Sequence, residues 1–143
     1  MIDRAGDQQY AALGGLVSYA LKVRKVEAVI IDGAATDIDE IREMGLLVFY
    51  PRLSAITTRL AGTDGEINTT ISCGGVVVNP GDIVLADENG FVVMPPDEAK
   101  ALCTEAVEKH QNGEPGIRAK LDAGARMADL TRANQIVAKA MEK

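Results

Sequence analysis

The side chains best suited to chemistry lie in a short acidic segment, where Asp37 and Glu40 follow Thr36. An apolar, β-branched run at residues 29–31 precedes them and predicts a buried strand, and the acidic residues predict the first turn of a helix. A helix start beside the carboxyl end of a strand is where α/β proteins commonly bind ligands. Carboxylate oxygens also suit a hard divalent cation such as Mg²⁺. Asp37 is therefore the leading candidate for a chemically active residue.

The same residues also fit a purely structural interpretation. Asp37 with Glu40 three residues later resembles a capping box, as does Thr36 with Asp39. Such a cap stabilises a helix by about 1 kcal/mol and needs no ligand. Spacing alone favours the cap, and the two interpretations are compatible.

A second feature is the pair Gly14 and Gly15, which precedes a predicted helix at residues 15–24. A helix start of this kind leaves backbone N–H groups open to an anion. The glycine spacing of a dinucleotide-binding turn is missing after the strand at 29–31, so neither a dinucleotide nor adenosylmethionine is indicated. His110 is the single histidine. We expect it at the surface, and no histidine-activated nucleophile is indicated.

Composition narrows the class of protein. The chain has 143 residues, 47% hydrophobic and 3% aromatic, which suits one domain with an aliphatic core. Its net charge of −6 argues against direct binding of nucleic acid, which needs a basic surface. Cys73 and Cys103 are far apart and are predicted to be buried free thiols. With neither a signal peptide nor an apolar run long enough to span a bilayer, we expect a soluble, cytoplasmic protein with no membrane partner.

The elements that position these residues follow from apolar periodicity and turn residues. Residues 1–3 predict the end of a strand, 4–15 a loop, 46–50 a second strand and 52–65 another loop, with Gly45 as a helix stop. Alternation from Glu66 predicts a strand, and a meander follows through 76–78, 83–86 and 91–94, with Asn89-Gly90 as a hairpin turn. A helix is predicted from about residue 97 and broken at 112–116, with two short helices or a kinked pair over residues 117–143.

Four stretches carry a resemblance to a known family: AGDQQYAALGGL, VIIDGAATD, VNPGD and ADENGFVV. From Ile2 to Ala123 the chain resembles the family of the regulator of ribonuclease activity A and the class II aldolase that cleaves 4-hydroxy-4-methyl-2-oxoglutarate. The resemblance implies an α/β fold, an αββα sandwich of the swivelling phosphohistidine-like type, lacking the family's N-terminal part. It implies a single domain at residues 1–143 and assembly as a homotrimer or hexamer.

The resemblance also assigns site residues. The family's active-site pattern is an acidic residue, a spacer, an Arg-Asp pair and a further acid. In this chain Gly15 occupies the first position, Thr36 stands in place of the arginine, and Asp37 and Glu40 match the two later acids. Asp37 is thereby expected to hold Mg²⁺ or Mn²⁺ and to be catalytic together with Glu40. The residues assigned to substrate binding are Gly15, Leu16, Val17 and Thr36.

Two departures from the pattern bear on activity. Thr36 cannot supply a guanidinium fork for a carboxylate, and losing such a contact, worth about 1.5–3 kcal/mol, predicts a rate lower by about ten- to a hundredfold. Gly15 can neither orient water nor carry a proton. Arg52 or Arg59 would have to replace the missing guanidinium.

The sequence leaves two functions open. The first is a metal-dependent lyase of small 2-oxo acids such as pyruvate and oxaloacetate, acting as an aldolase or an oxaloacetate decarboxylase. The alternative is a non-catalytic regulator that binds a ribonuclease or another protein, favoured by Gly15 and Thr36. Some members of the family are labelled demethylmenaquinone methyltransferases, but nothing in this sequence supports methyl transfer.

Overall fold

The computed structural model describes residues 1–58, 62 and 65–142. The chain divides into two compact units, Met1–Pro95 and Pro96–Lys143. The single domain expected over residues 1–143 stays a prediction. Arg59, one of the two arginines considered as replacements, lies outside the described residues.

The N-terminal unit is a mixed α/β structure, which confirms the predicted fold class. Its described elements are β1 (Ile2–Asp3), β2 (Ala11–Leu13), α1 (Gly15–Val23), β3 (Ala28–Asp32), β4 (Ala34–Ala35), α2 (Ile38–Met44), β5 (Leu47–Phe49), β6 (Arg52–Leu53), β7 (Ile71–Cys73), β8 (Val76–Val78), β9 (Ile83–Asp87) and β10 (Gly90–Met94). Two sheets are parallel, in the orders β1-β3-β5 and β2-β4-β6. Two are antiparallel pairs, β7-β8 and β9-β10.

Between β3 and β4 the chain passes from one parallel sheet to the other. This passage places the acidic segment at the start of α2. Gly33 lies at the change, and a Cβ there would come within 2.5 Å of Arg4 Cγ, so a small residue lets the two segments approach. Beyond β4, the Thr36 N–H donates to the Leu13 carbonyl oxygen at 2.9 Å. The start of α2 is therefore fixed beside the end of β2, where α1 begins.

Apolar burial holds these elements together. One buried cluster joins both parallel sheets to α2, and Leu21 of α1 packs against it; the cluster consists of Leu13, Val29, Ile31, Ala35, Ile41 and Leu46. A second cluster, Ile30, Cys73 and Val78, lies under the antiparallel strands. Burial raises the pKa of the Cys73 thiol, which keeps it neutral near pH 7, as expected for a buried free thiol. Cys103 is exposed, so the prediction that both cysteines are buried is wrong for it.

Two carboxylates attach β7 to the parallel sheet. Asp3 and Asp32 are neighbours in register at the ends of β1 and β3. The Ser72 N–H donates to Asp3 Oδ2 at 3.1 Å, and the Gly74 N–H donates to Asp32 Oδ2 at 2.9 Å. These side chains therefore supply acceptors that strand pairing does not provide.

Several sequence predictions in this unit need correction. The short strands β2 and β6 lie in segments that we expected to be loops, and β4 was not predicted, because two or three residues are too few to show a period. The strand expected from Glu66 begins only at Ile71. The β9-β10 hairpin is confirmed, but Asp87 pairs with Gly90, so the turn residues are Glu88 and Asn89 rather than Asn89 and Gly90.

The C-terminal unit is helical where it is described, with α3 (Pro96–Asp122), α4 (Met127–Leu130) and α5 (Ala133–Met141). The two short helices at the end are as predicted. The break expected at 112–116 is wrong, because α3 continues through Pro115. An ion pair from Glu114 to Arg118 at 3.4 Å spans this proline, and Glu114 also lies 3.2 Å from His110 Nδ1, one turn earlier. His110 is exposed, as expected.

In the described part of the chain, none of the helices combines the length and the apolar character that crossing a bilayer requires. The cytoplasmic location stays a prediction.

Candidate functional site

The carboxylate of Asp37 connects the starts of two helices. Its Oδ2 accepts a hydrogen bond from the backbone N–H of Gly15 at 2.9 Å, and its Oδ1 accepts one from the Thr36 hydroxyl at 3.2 Å. Asp37 immediately precedes α2, whereas Gly15 is the first residue of α1. The side chain remains exposed, so it can meet a ligand without a change in the fold.

The backbone of Asp37 explains why the side chain points to α1. Asp37 has φ 57° and ψ 36°, a left-handed conformation, and makes no side-chain cap bond to α2. A capping side chain normally requires extended backbone at this position, so the capping box that we predicted from Asp37 and Glu40 is wrong. A left-handed non-glycine residue costs about 1–3 kcal/mol and is often found at functional sites. Aspartate tolerates this conformation better than most residues.

Small residues at the start of α1 make room for both acidic side chains. A Cβ on Gly14 would lie 2.7 Å from Asp37 Oδ2, and a Cβ on Gly15 would overlap the carboxylate of Glu40. Two carboxylates therefore lie at the amino end of α1, where the helix dipole favours negative charge.

The backbone donors that the sequence assigned to substrate are only partly available. The N–H of Gly15 is occupied by Asp37. Leu16 and Val17 have exposed side chains, and within residues 1–58, 62 and 65–142 no acceptor is found for either N–H group. These two donors remain available to a ligand oxygen.

An open depression of about 660 Å³ adjoins the carboxylates. Its lining residues are Thr36, Asp37, Ile38, Asp39, Glu40, Arg42, Leu53, Ser54 and Ala55. Residues 53–55 are placed there because β6 pairs with β4 and the Ser54 N–H donates to the Ala35 carbonyl at 2.9 Å.

The guanidinium at this depression is one that sequence reasoning missed. Arg42 lines the depression and pairs with Asp39 at 3.2 Å, with both side chains well exposed. Arg52, which we considered as a replacement, is not among the lining residues. The signal was available in the sequence, because Arg42 follows Asp37 by little more than one turn on the predicted helix.

The donor set fits a hard divalent cation. Asp37 and Glu40 offer carboxylate oxygens, and the described residues contain no cluster of three His, Cys, Asp or Glu side chains that could enclose a metal ion. Mg²⁺ typically binds to one or two carboxylates and keeps waters or substrate oxygens as its remaining ligands. Asp37 and Glu40 are therefore the residues that would hold such a cation.

Fold and site thus define an α/β protein with an acidic site at a helix start. The chain belongs to the RraA-like family, described as Aldolase/RraA, which it matches over residues 1–93. This confirms the resemblance inferred from the sequence.

Individual relatives carry different names. The chain is 33% identical over 128 residues to "Uncharacterized protein MJ0644" of Methanocaldococcus jannaschii, with 87% of this chain covered. It is 30% identical over 122 residues to "Putative 4-hydroxy-4-methyl-2-oxoglutarate aldolase" of Halalkalibacterium halodurans, with 85% covered. The solved structure of the RNA-processing inhibitor RraA from Thermus thermophilis is similar with a TM-score of 0.61 and 29% identity, over 65% of this chain.

The chain spans only part of these proteins. It covers 59% of the Methanocaldococcus jannaschii protein, 58% of the Halalkalibacterium halodurans protein and 56% of the chain in the Thermus structure. The family includes proteins named as aldolases and proteins named as inhibitors of RNA processing.

The hydrogen bond from Gly15 to Asp37 can be tested through stability. Asp37→Ala removes the acceptor but keeps a left-handed residue, so we expect the free energy of unfolding in urea to fall by about 1–3 kcal/mol. Asp37→Asn keeps an acceptor oxygen and tolerates the left-handed backbone, so its loss should stay below about 1 kcal/mol.

Asp39→Ala is the matched control, since Asp39 lies on the same turn and makes only an exposed ion pair. Its effect should stay within about 0.5 kcal/mol. Equal stability of the Asp37→Ala and Asp39→Ala proteins would contradict the assigned role of Asp37.

Proposed function

We propose that this protein is a divalent-metal-dependent lyase of small 2-oxo acids, of the 4-hydroxy-4-methyl-2-oxoglutarate aldolase and oxaloacetate decarboxylase type. The observation that carries the proposal is the Asp37 carboxylate, which is exposed at a depression although its backbone is strained. Relatives about 30% identical that are named as aldolases support the same reaction class.

Residues at the starts of α1 and α2 have different roles in the proposed reaction. Asp37 and Glu40 would hold Mg²⁺ or Mn²⁺. The metal, when bound, supplies Lewis-acid polarisation of the 2-oxo group. The bond from the Gly15 N–H orients Asp37 before substrate arrives, and this reduces the entropy lost on binding.

The substrate carboxylate has two sets of donors. The N–H groups of Leu16 and Val17 are at the amino end of α1, which favours an anion. Arg42 lines the same depression, and its exposed ion pair with Asp39 is weak enough to be exchanged. We assign to Arg42 the carboxylate contact that Thr36 cannot make.

The proposal extends to assembly and location. Leu16, Tyr19 and Val23 on α1 are all more than half exposed, and an apolar face of this kind supports contact with other subunits. A homotrimer or hexamer in the cytoplasm is therefore part of the proposal.

Turnover of oxaloacetate tests the lyase directly. With Mg²⁺ present, we expect pyruvate to form faster than free metal alone produces it, as followed with a coupled dehydrogenase. Asp37→Ala should lower kcat/KM by at least about a hundredfold, because losing groups that merely support a metal ligand already costs about 10–100-fold. Glu43→Ala, at an exposed acid on α2 that does not line the depression, should retain activity. A rate no higher than that of free Mg²⁺ would refute the lyase.

Arg42 is tested by its effect on substrate binding. Arg42→Ala should raise KM for oxaloacetate about tenfold, the lower end for a charged hydrogen bond at an exposed position. Arg52→Ala is the control, since Arg52 is exposed but does not line the depression. If both variants change KM equally, Arg42 does not bind substrate.

A second candidate is a non-catalytic binding protein. The exposed apolar face of α1 and the similarity to an inhibitor of RNA processing favour it. The two functions predict different results for Thr36→Arg.

In a lyase, Thr36→Arg adds a planar guanidinium fork beside the contact assigned to Arg42, so kcat/KM on oxaloacetate should rise by about tenfold or more. A binding protein should gain no activity. Thr36→Lys serves as the control, because it restores the charge without the planar fork. A gain specific to arginine would reject the binding protein, and no gain in a folded variant would favour it.

A further inference from the structure

A second cavity in the N-terminal unit shares no lining residue with the depression at Asp37. Its volume is about 410 Å³, within the range of about 300–1,000 Å³ that small-molecule sites usually have. Asp32 and Tyr50 line it at the carboxyl ends of the neighbouring parallel strands β3 and β5, and residues 87–91 of the β9-β10 hairpin line it as well. Ligands of α/β proteins commonly bind at such strand ends.

Aromatic side chains converge on this cavity. The chain contains two phenylalanines, three tyrosines and no tryptophan. Both phenylalanines, Phe49 and Phe91, line the cavity, together with Tyr50. Ile30 and Cys73, both buried, complete its apolar lining. In a chain so poor in aromatic residues, this concentration provides flat apolar surfaces for one ligand.

Among the residues that the structure describes, the charges at the cavity all have the same sign. Asp32, Asp87 and Glu88 line it, and no lysine or arginine within residues 1–58, 62 and 65–142 does. Asp87 accepts a hydrogen bond from the Asn89 N–H at 2.8 Å, which lowers the pKa of its carboxyl and keeps it ionised. Glu88 has no charged partner in the part of the chain that the structure describes. Aromatic faces next to unbalanced carboxylates complement a cation and disfavour an anion.

We propose that this cavity binds a small organic ammonium ion with an aromatic or aliphatic body. The body packs against Phe49 and Phe91, and the ammonium group is held by the carboxylates. The Tyr50 hydroxyl, which has no hydrogen-bond partner among the described residues, is available as a further acceptor. A 2-oxo acid is excluded by its negative charge, so this site is independent of the proposed lyase site.

Three probes of nearly equal shape separate charge from apolar burial: phenethylammonium, phenethyl alcohol and phenylacetate. Each is titrated into the ¹⁵N-labelled 143-residue protein while amide shifts are followed. We expect phenethylammonium to give saturable shifts at residues 50, 74 and 88–91. The alcohol should bind about fivefold to tenfold more weakly, and phenylacetate should give no shifts at these residues.

Two conservative variants test the source of selectivity. Glu88→Gln removes an exposed charge at the hairpin tip. It should weaken the binding of phenethylammonium about twofold to fivefold without changing the affinity for the alcohol. Glu43→Gln, an exposed acid on α2 that does not line the cavity, should change neither.

Equal affinity for the ammonium ion and the alcohol would overturn the proposal, as would shifts that do not saturate or that lie outside the lining residues. Because oxaloacetate turnover is measured separately, loss of lyase activity leaves this result unaffected.

Discussion

One hydrogen bond, from the Gly15 N–H to Asp37 Oδ2, determines the geometry of the site. It joins residues that are 22 positions apart and couples the start of α1 to the start of α2. The left-handed backbone of Asp37 costs about 1–3 kcal/mol. The hydrogen bond from the Gly15 N–H offsets this cost. The bond therefore stabilises a strained residue and at the same time directs its carboxylate toward the depression.

A second feature of this helix start is the space beside Gly15. The carboxylate of Glu40 occupies the space that a side chain at this position would need. The resemblance to the family predicts an acidic residue at position 15, where this chain has glycine. The space beside Gly15 is thus already filled by a carboxylate that comes from α2 rather than from α1. Arg42, also on α2, similarly brings a guanidinium to a depression where Thr36 stands in place of arginine.

The sequence was informative where a pattern is local. The strand β3, the helix α1 and the left-handed stop at Gly45 follow from apolar spacing and glycine chemistry, and the structure has all three. The family was identified from short stretches that hold several constrained turns. The prediction of a capping box was wrong because the same spacing of acidic residues fits two roles, capping α2 and accepting a hydrogen bond from α1. The choice between them depends on the backbone angles of Asp37 and on a donor far away in the chain.

Strands of two or three residues, such as β2, β4 and β6, were missed for a similar reason. Their pairing is set by neighbours distant in sequence, and they carry no readable period.

The site itself can be tested most directly with Mn²⁺, which broadens the resonances of nearby amides. The account predicts selective broadening of the amides of Gly15, Leu16 and Ile38 in the wild-type protein and its loss in Asp37→Ala. Broadening that persists in this variant, or that centres on another part of the chain, would contradict the account.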